Sequence, residues 1–218
     1  MANSIAAAVP SNVRIIPPNR ARFLTGQRFD IRVEGRGTGP FSASLAIDGM
    51  PMEFTSGRQG TNETDGITSP GYGGFNLRGY ANDDTGIHTI TATFSDAEGT
   101  VNSEASFEIL DLSGGQPAAR NIIIMLGDGM GVAHRTAARL VKFGATDGQP
   151  NGYLAMDRFP GTGLVTTHSL NSIVTDSAPG MACYSTGNHS NNGQEGVYPA
   201  NMTNPFYQPR VEYMAEYL

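Results

Sequence analysis

Two short stretches hold the residue types from which chemistry could be built. Asn121-Ile-Ile-Ile-Met-Leu-Gly-Asp128-Gly-Met-Gly131 places a carboxylate just after an apolar run, and Ile173-Val-Thr-Asp176-Ser177-Ala178 places a serine hydroxyl ahead of a helix-competent segment. A carboxylate and a hydroxyl that converge on one divalent cation make a metal-assisted nucleophile. No Gly-x-Ser-x-Gly elbow surrounds Ser177, so the serine–histidine route lacks its usual signature. A serine with no neighbouring histidine becomes an alkoxide through metal coordination, another adjacent base or a depressed pKa.

The elements that must position this pair follow from the flanking residues. Positions 121–126 form a continuous apolar run closed by Gly127, the pattern of a parallel strand buried on both faces. Asp128 then lies just past the carboxyl end of a strand, where open α/β sheets place their ligands. Positions 133–141 are helix-forming, and Gly127, Gly129 and Gly131 let the intervening backbone turn tightly. The spacing is Gly-x-Gly-x-Gly, which fits neither the dinucleotide fingerprint nor a phosphate-binding loop ending in Gly-Lys-Ser/Thr. Ser177 precedes Ala-Pro-Gly-Met-Ala-Cys-Tyr-Ser-Thr186, a helix expected to stop at Gly187 and to tolerate Pro179 in its first turn. The serine oxygen would face the positive end of that helix, a place suited to anions. The local alternative for both Asp128 and Ser177 is a helix N-cap.

Taken together, Ile-Met-Leu-Gly-Asp128-Gly-Met-Gly, the following Thr-Ala-Ala-Arg139, and Val-Thr-Asp176-Ser177-Ala closed by Tyr184-Ser-Thr-Gly187 resemble the amino-terminal catalytic half of the bacterial alkaline phosphatase family. The likeness covers residues 120–218. It implies a phosphomonoesterase with two zinc ions and one magnesium ion, acting on small-molecule phosphomonoesters. Carried over by motif, Asp128 bridges a zinc and the magnesium, Ser177 is the nucleophile and a zinc ligand, and Asp176 supports a phosphate-binding arginine. The resemblance also implies a periplasmic or extracellular location and leaves room for a homodimer. Pro179-Gly180 and Tyr184 depart from the family pattern without touching an expected ligand. The later Asp/His clusters and the phosphate arginine of the family fall beyond Leu218, so this stretch is expected to be inactive by itself. Within the superfamily a phosphodiesterase or sulfatase is the alternative chemistry, although Ser177-Ala-Pro179-Gly lacks the arginine a sulfatase motif wants. Outside it, the alternative is a secreted β-sandwich binding or adhesion module.

The four histidines are His88, His134, His168 and His189. Asp84-Thr-Gly-Ile-His88 has the spacing of a zinc pair, but it reads better as a strand-entry corner. His134 and His168 read as surface or supporting residues, and His189 as solvated. A zinc site needs three or four convergent ligands, more than these residues supply.

The first half has another character. Short alternating segments at 12–16, 28–34, 42–48, 74–80, 87–95 and 101–110 argue for an antiparallel sandwich over residues 10–111, resembling immunoglobulin-like domains of secreted bacterial enzymes. Asp96-Ala-Glu-Gly99 is a hairpin-type connection. In Ile90-Thr-Ala-Thr-Phe94 the apolar residues share one face. Positions 56–73 read as a long polar loop, and 112–119 as a linker rich in Gly, Pro and small residues. The expected fold class is therefore multidomain: an immunoglobulin-like β-sandwich followed, over 120–218, by the first part of an alkaline-phosphatase-like α/β sheet domain. A net charge of −6 with no basic stripe argues against nucleic acid. No apolar run reaches the length of a membrane span. Met1–Pro10 is at best the tail of a signal peptide. Cys183 has no internal partner, since it is the one cysteine of the chain.

Overall fold

The computed structural model describes residues 10–55, 71–114, 120–202 and 205–217. The expected signal-peptide tail lies outside them save for Pro10, as do most of the expected long loop at 56–73 and residues 115–119 of the linker.

The chain divides into two compact units, residues 1–116 with 169–218, and residues 117–168. In the first, an immunoglobulin-like sandwich is built from β1 (Ser11–Ile16), β2 (Ala21–Leu24), β3 (Phe29–Arg36), β4 (Ser42–Ile47), β5 (Met50–Met52), β6 (Tyr72–Tyr80), β7 (Gly86–Ser95) and β8 (Thr100–Leu110). Strands β1-β3-β6 form one sheet and β2-β8-β7-β4-β5 the other. All six expected strands are present. Two were missed: β2, which pairs parallel to β8, and β5, which returns from β4 through Asp48-Gly49. Asp48 and Gly49 both have positive φ, 51° and 79°, the signature of the two-residue turn that matches strand twist.

Alternation along the strands builds the core. In β7, Ile90, Ala92 and Phe94 are buried while Thr91 is exposed. They meet Ile31 and Val33 of β3 and Phe107 and Ile109 of β8 in one cluster. Phe23, the buried residue of β2, stacks on Phe29 and meets the edge of Phe107, which fixes that short strand. Asp96 shapes the β7–β8 connection, its carboxylate accepting from the Glu98 and Gly99 amides at 2.8 and 3.0 Å.

Strand β3 departs from the one-sided pattern. Asp30, Arg32 and Glu34 alternate with the core residues, yet all three are buried. Later residues bond to two of them: the Arg210 amide donates to Asp30 Oδ2 at 2.8 Å and the Asn201 amide to Glu34 Oε2 at 3.1 Å. Phe29 pairs with Tyr80 of β6 on one edge and with Val211 on the other, so this late segment extends the edge of β3 that β1 occupies further along. The Asp30 amide donates to the Arg210 carbonyl at 2.8 Å, and the Glu212 amide donates to the Arg28 carbonyl at 2.8 Å. Tyr198 and Val211 enter the same core cluster as the sandwich residues.

Within the second unit, α1 (Val132–Phe143) covers the expected helix. Arg135 and Arg139, one turn apart, both reach Asp157 in the 3-10 turn Ala155–Arg158, Arg139 at 2.8 Å. After the helix, β9 (Ala145–Thr146) and β10 (Gln149–Pro150) form a minimal hairpin around Asp147-Gly148, a turn signal that sequence reading overlooked.

The strand expected at 121–126 is not formed, and the apolar stretch before His168 is not a strand either. Ile122, Ile123, Met125, Leu164 and Val165 are exposed. A strand exists only when neighbours pair its N–H and C=O groups, and among the described residues no strand pairs with either segment.

Candidate functional site

Helix α2 (Ser177–Thr186) carries the expected nucleophile. Its apolar and small residues suit a helix, and Gly187, left-handed at φ 75° and ψ 5°, ends it where expected with its amide on the Cys183 carbonyl at 3.0 Å. The amino-terminal cap is Asp176, not Ser177: Asp176 Oδ1 accepts from the Ala178 amide at 3.0 Å. Pro179 occupies the third helical position and has no N–H to offer a cap. The second carboxylate oxygen of Asp176 instead accepts from the Gly193 amide at 2.7 Å. Ser177 is the first residue of the helix and is exposed. Its hydroxyl is thus not spent on capping and stands at the positive end of the helix dipole.

The approach to Ser177 is tied to a polar loop. The Asn192 amide donates to Asn171 Oδ1 at 2.9 Å, and Asn192 Nδ2 to the Val174 carbonyl at 3.0 Å. The Leu170 amide reaches the Ser190 carbonyl at 3.0 Å, and Ser190 Oγ donates to the Val197 carbonyl at 2.7 Å. Sequence reading took His189 to be solvated in a polar loop of Asn, Ser and Gly. The missed signal was the run of asparagines with Gly193, side chains and turns suited to bonding backbone.

Asp128 lies in the other compact unit, at an exposed turn in which the Met130 amide donates to the Gly127 carbonyl at 3.1 Å. Gly129 takes φ 64° there, a conformation that costs a Cβ-bearing residue. The N-cap of α1 is Gly131, whose amide donates to His134 Nδ1 at 3.2 Å, so the capping alternative fails for Asp128 as well. Each of the three sequence-derived residues is described within its own unit: Asp176 and Ser177 together at the start of α2, and Asp128 on its glycine turn.

The histidines divide by role. His189 is half-buried against Cys183, Nδ1 to Sγ 3.4 Å, rather than solvated, and burial pushes the Cys183 thiol up. The Asp84/His88 pair is a corner, as read. His88 Nε2 meets the Asp84 backbone carbonyl at 2.8 Å, not its carboxylate, and Nδ1 meets Asp48 Oδ2 at 2.6 Å. Burial works against charge on this imidazole, but the Asp48 and Asp84 acceptors together raise His88 above the ordinary histidine value. Both partners accept only, so the doubly protonated ring satisfies both. Hydrogen bonds from the Thr89 amide and from His88 hold Asp48 below the usual carboxylate range. The histidine contribution to stability is complete below about pH 6.5 and fades as pH rises through its raised value, while that of Asp48 fades below about pH 4. A His88→Phe variant, which keeps the stacking on Phe107, is expected to narrow its Tm deficit between pH 6 and pH 9. A deficit equal at the two pH values would refute the charged pair.

No group of three His, Cys, Asp or Glu residues able to hold a metal occurs among the described residues. A zinc site asks for three or four ligands, so these residues do not make one unaided.

The family model for alkaline phosphatase matches residues 119–210. An alkaline phosphatase of Gadus morhua is 41% identical over 106 residues, 48% of this chain and 21% of that protein. A streptomycin-6-phosphate phosphatase of Streptomyces griseus is 38% identical over 99 residues, 43% of this chain and 21% of that protein. The chain thus spans about a fifth of the length of these relatives. Among solved structures, a titin M4 structure superposes with a TM-score of 0.30 at 14% identity, over 47% of this chain and all of that one. Residues 119–210, which include the glycine turn of Asp128 and the helix of Ser177, are thus the part of this chain that is similar to alkaline phosphatases.

Proposed function

We propose that the complete protein hydrolyses phosphomonoesters through Ser177 and that this chain carries the nucleophile end of its site. The observation behind the reading is that Asp176 takes the cap of α2, which leaves the Ser177 hydroxyl presented at the helix amino terminus. There, backbone N–H groups and the dipole favour the anionic phosphoryl group. Ser177 Oγ forms a bond to phosphorus as the bond from phosphorus to the leaving oxygen breaks. The hydroxyl proton leaves the serine, and the departing alkoxide takes up a proton. Water then cleaves the phosphoserine, returning the hydroxyl and releasing phosphate.

Two zinc ions and one magnesium ion belong to this reading. Asp128 and Ser177 are the ligands this chain would contribute, and the remaining ones would come from sequence outside it. The carboxylate of Asp176, held between the Ala178 and Gly193 amides, acts by fixing the start of α2. The exposed apolar segments at 121–126 and 163–168 become sheet strands in this reading when further chain pairs with them. A periplasmic or extracellular location and small-molecule phosphomonoester substrates complete the proposal. No helix among the described residues is long and apolar enough to cross a membrane.

Acid quenching of the complete protein during turnover of a labelled phosphomonoester tests the reading. Phosphate on a peptide containing Ser177 is the expected result. Label on another residue, or none during active turnover, would refute it.

A further inference from the structure

We infer that the β-sandwich is the frame that holds the serine helix, with Gln27 and Asn188 as positioning residues for Ser177; the catalytic part of this inference rests on the phosphatase reading. The two contacts meet at the carboxyl end of α2. Gln27, buried in the turn between β2 and β3, uses its Oε1 to accept from the Leu24 amide at 3.0 Å. Its Nε2 donates to the carbonyls of Thr186 at 3.1 Å and Glu212 at 3.0 Å. Asn188, also buried, donates from Nδ2 to the Arg22 carbonyl of β2 at 2.9 Å and to the same Thr186 carbonyl at 3.0 Å.

Thr186 is the last residue of α2, and its carbonyl is one of those a helix end leaves without an intrahelical partner. Here it receives two side-chain amides, one from the sandwich and one that is itself anchored to the sandwich. Buried donors of this kind are costly to leave unpaired, so the joint is specific in direction as well as in place.

The other end of the helix reaches the sandwich by a longer path. Asp176 is held by Gly193, residues 190–192 hold 170–174, and the Tyr198 amide donates to the Pro209 carbonyl at 2.8 Å. Arg210 and Glu212 then join the edge of β3. A ten-residue helix is a rod of about 15 Å. With both ends fixed to one frame, the direction of Ser177 is set by residues more than a hundred positions earlier in the chain.

The test uses the complete protein bearing Gln27→Met, which keeps side-chain volume and removes both donations, with Ser44→Ala on the exposed face of β4 as control. Hydrogen exchange of the amides at the end of α2 is expected to accelerate about tenfold, the effect of a lost buried hydrogen bond. The kcat for p-nitrophenyl phosphate is expected to fall about tenfold with KM changed less than about twofold, the pattern of a displaced reacting group. Ser44→Ala is expected to change neither. Unchanged exchange in α2, or faster exchange with unchanged kcat, would overturn the inference. Should Gln27→Met fail to fold, Gln27→Glu retains the acceptor for the Leu24 amide and serves in its place. Failure of the phosphatase reading would look different, with neither turnover nor phosphoserine in the wild type while exchange in α2 still responds to Gln27→Met.

Discussion

Replacing Ser177 by alanine in the complete protein is expected to lower kcat/KM for phosphomonoesters by at least about 10³-fold, a loss of about 4 kcal/mol of transition-state stabilisation. The size follows from the role. A nucleophile makes its bond only along the reaction path, so its removal strikes turnover and leaves substrate binding largely in place. The fold should not notice. Ser177 is exposed at the first position of α2, and Asp176, not Ser177, holds the cap. Alanine is a strong helix former, so the stability change should stay within about 0.5 kcal/mol. A variant with native Tm and full activity would remove Ser177 from the chemistry.

The largest structural effect is expected at Glu34. Its carboxylate is fully buried, with Arg32 Nε at 2.7 Å and Arg14 Nε at 2.6 Å. The Asn201 amide reaches the same two oxygens at 3.3 and 3.1 Å, and Asn201 Nδ2 adds a contact at 3.3 Å. Gly74 of the neighbouring strand makes the room, since a Cβ there would lie 2.0 Å from Arg32 Nη2. Glu34→Ala strips the counter-charge from a buried guanidinium and the acceptor from the half-buried Asn201 amide. The expected cost is about 3–5 kcal/mol, typical of breaking one side of a buried pair. Substituting the pair together, Arg32→Met with Glu34→Leu, should recover much of that, because no buried charge is left uncompensated and Arg14, which also loses Glu34, is exposed to water. Recovery should be incomplete, since the Asn201 amide still loses its acceptor. Denaturant unfolding of the three proteins checks the order. A Glu34→Ala protein as stable as wild type would mean the cluster is open to water in solution.

Much of the sandwich was legible because alternation is a local signal: Ile90, Ala92 and Phe94 report their face without knowledge of any partner. Strands β2 and β5 were not, being four and three residues long, too short for a period to show. The cover over β3 was illegible for a different reason. Asp30-Ile-Arg-Val-Glu34 has the alternation of a strand with one side in water, and what buries that side comes from residues near 200. The helix of Ser177 and its stop at Gly187 could be read from capping and turn chemistry. Which of two adjacent cap-competent residues takes the cap could not, because the choice depends on the fold of the loop bearing Gly193. The apolar run at 121–126 is the opposite case. Its composition announces a strand, but strand pairing is a property of neighbours and not of the run itself.

The charged side of β3 also bears on how the molecule comes into being. Synthesis delivers the sandwich well before residues 197–212 emerge from the ribosome, and a sheet waiting with Asp30, Arg32 and Glu34 uncovered remains wettable rather than sticky. The late segment would then close over a charged surface and not an apolar one. The ion cluster, costly once dehydrated, is in this sense the trace of a face that can stand in water until its cover arrives.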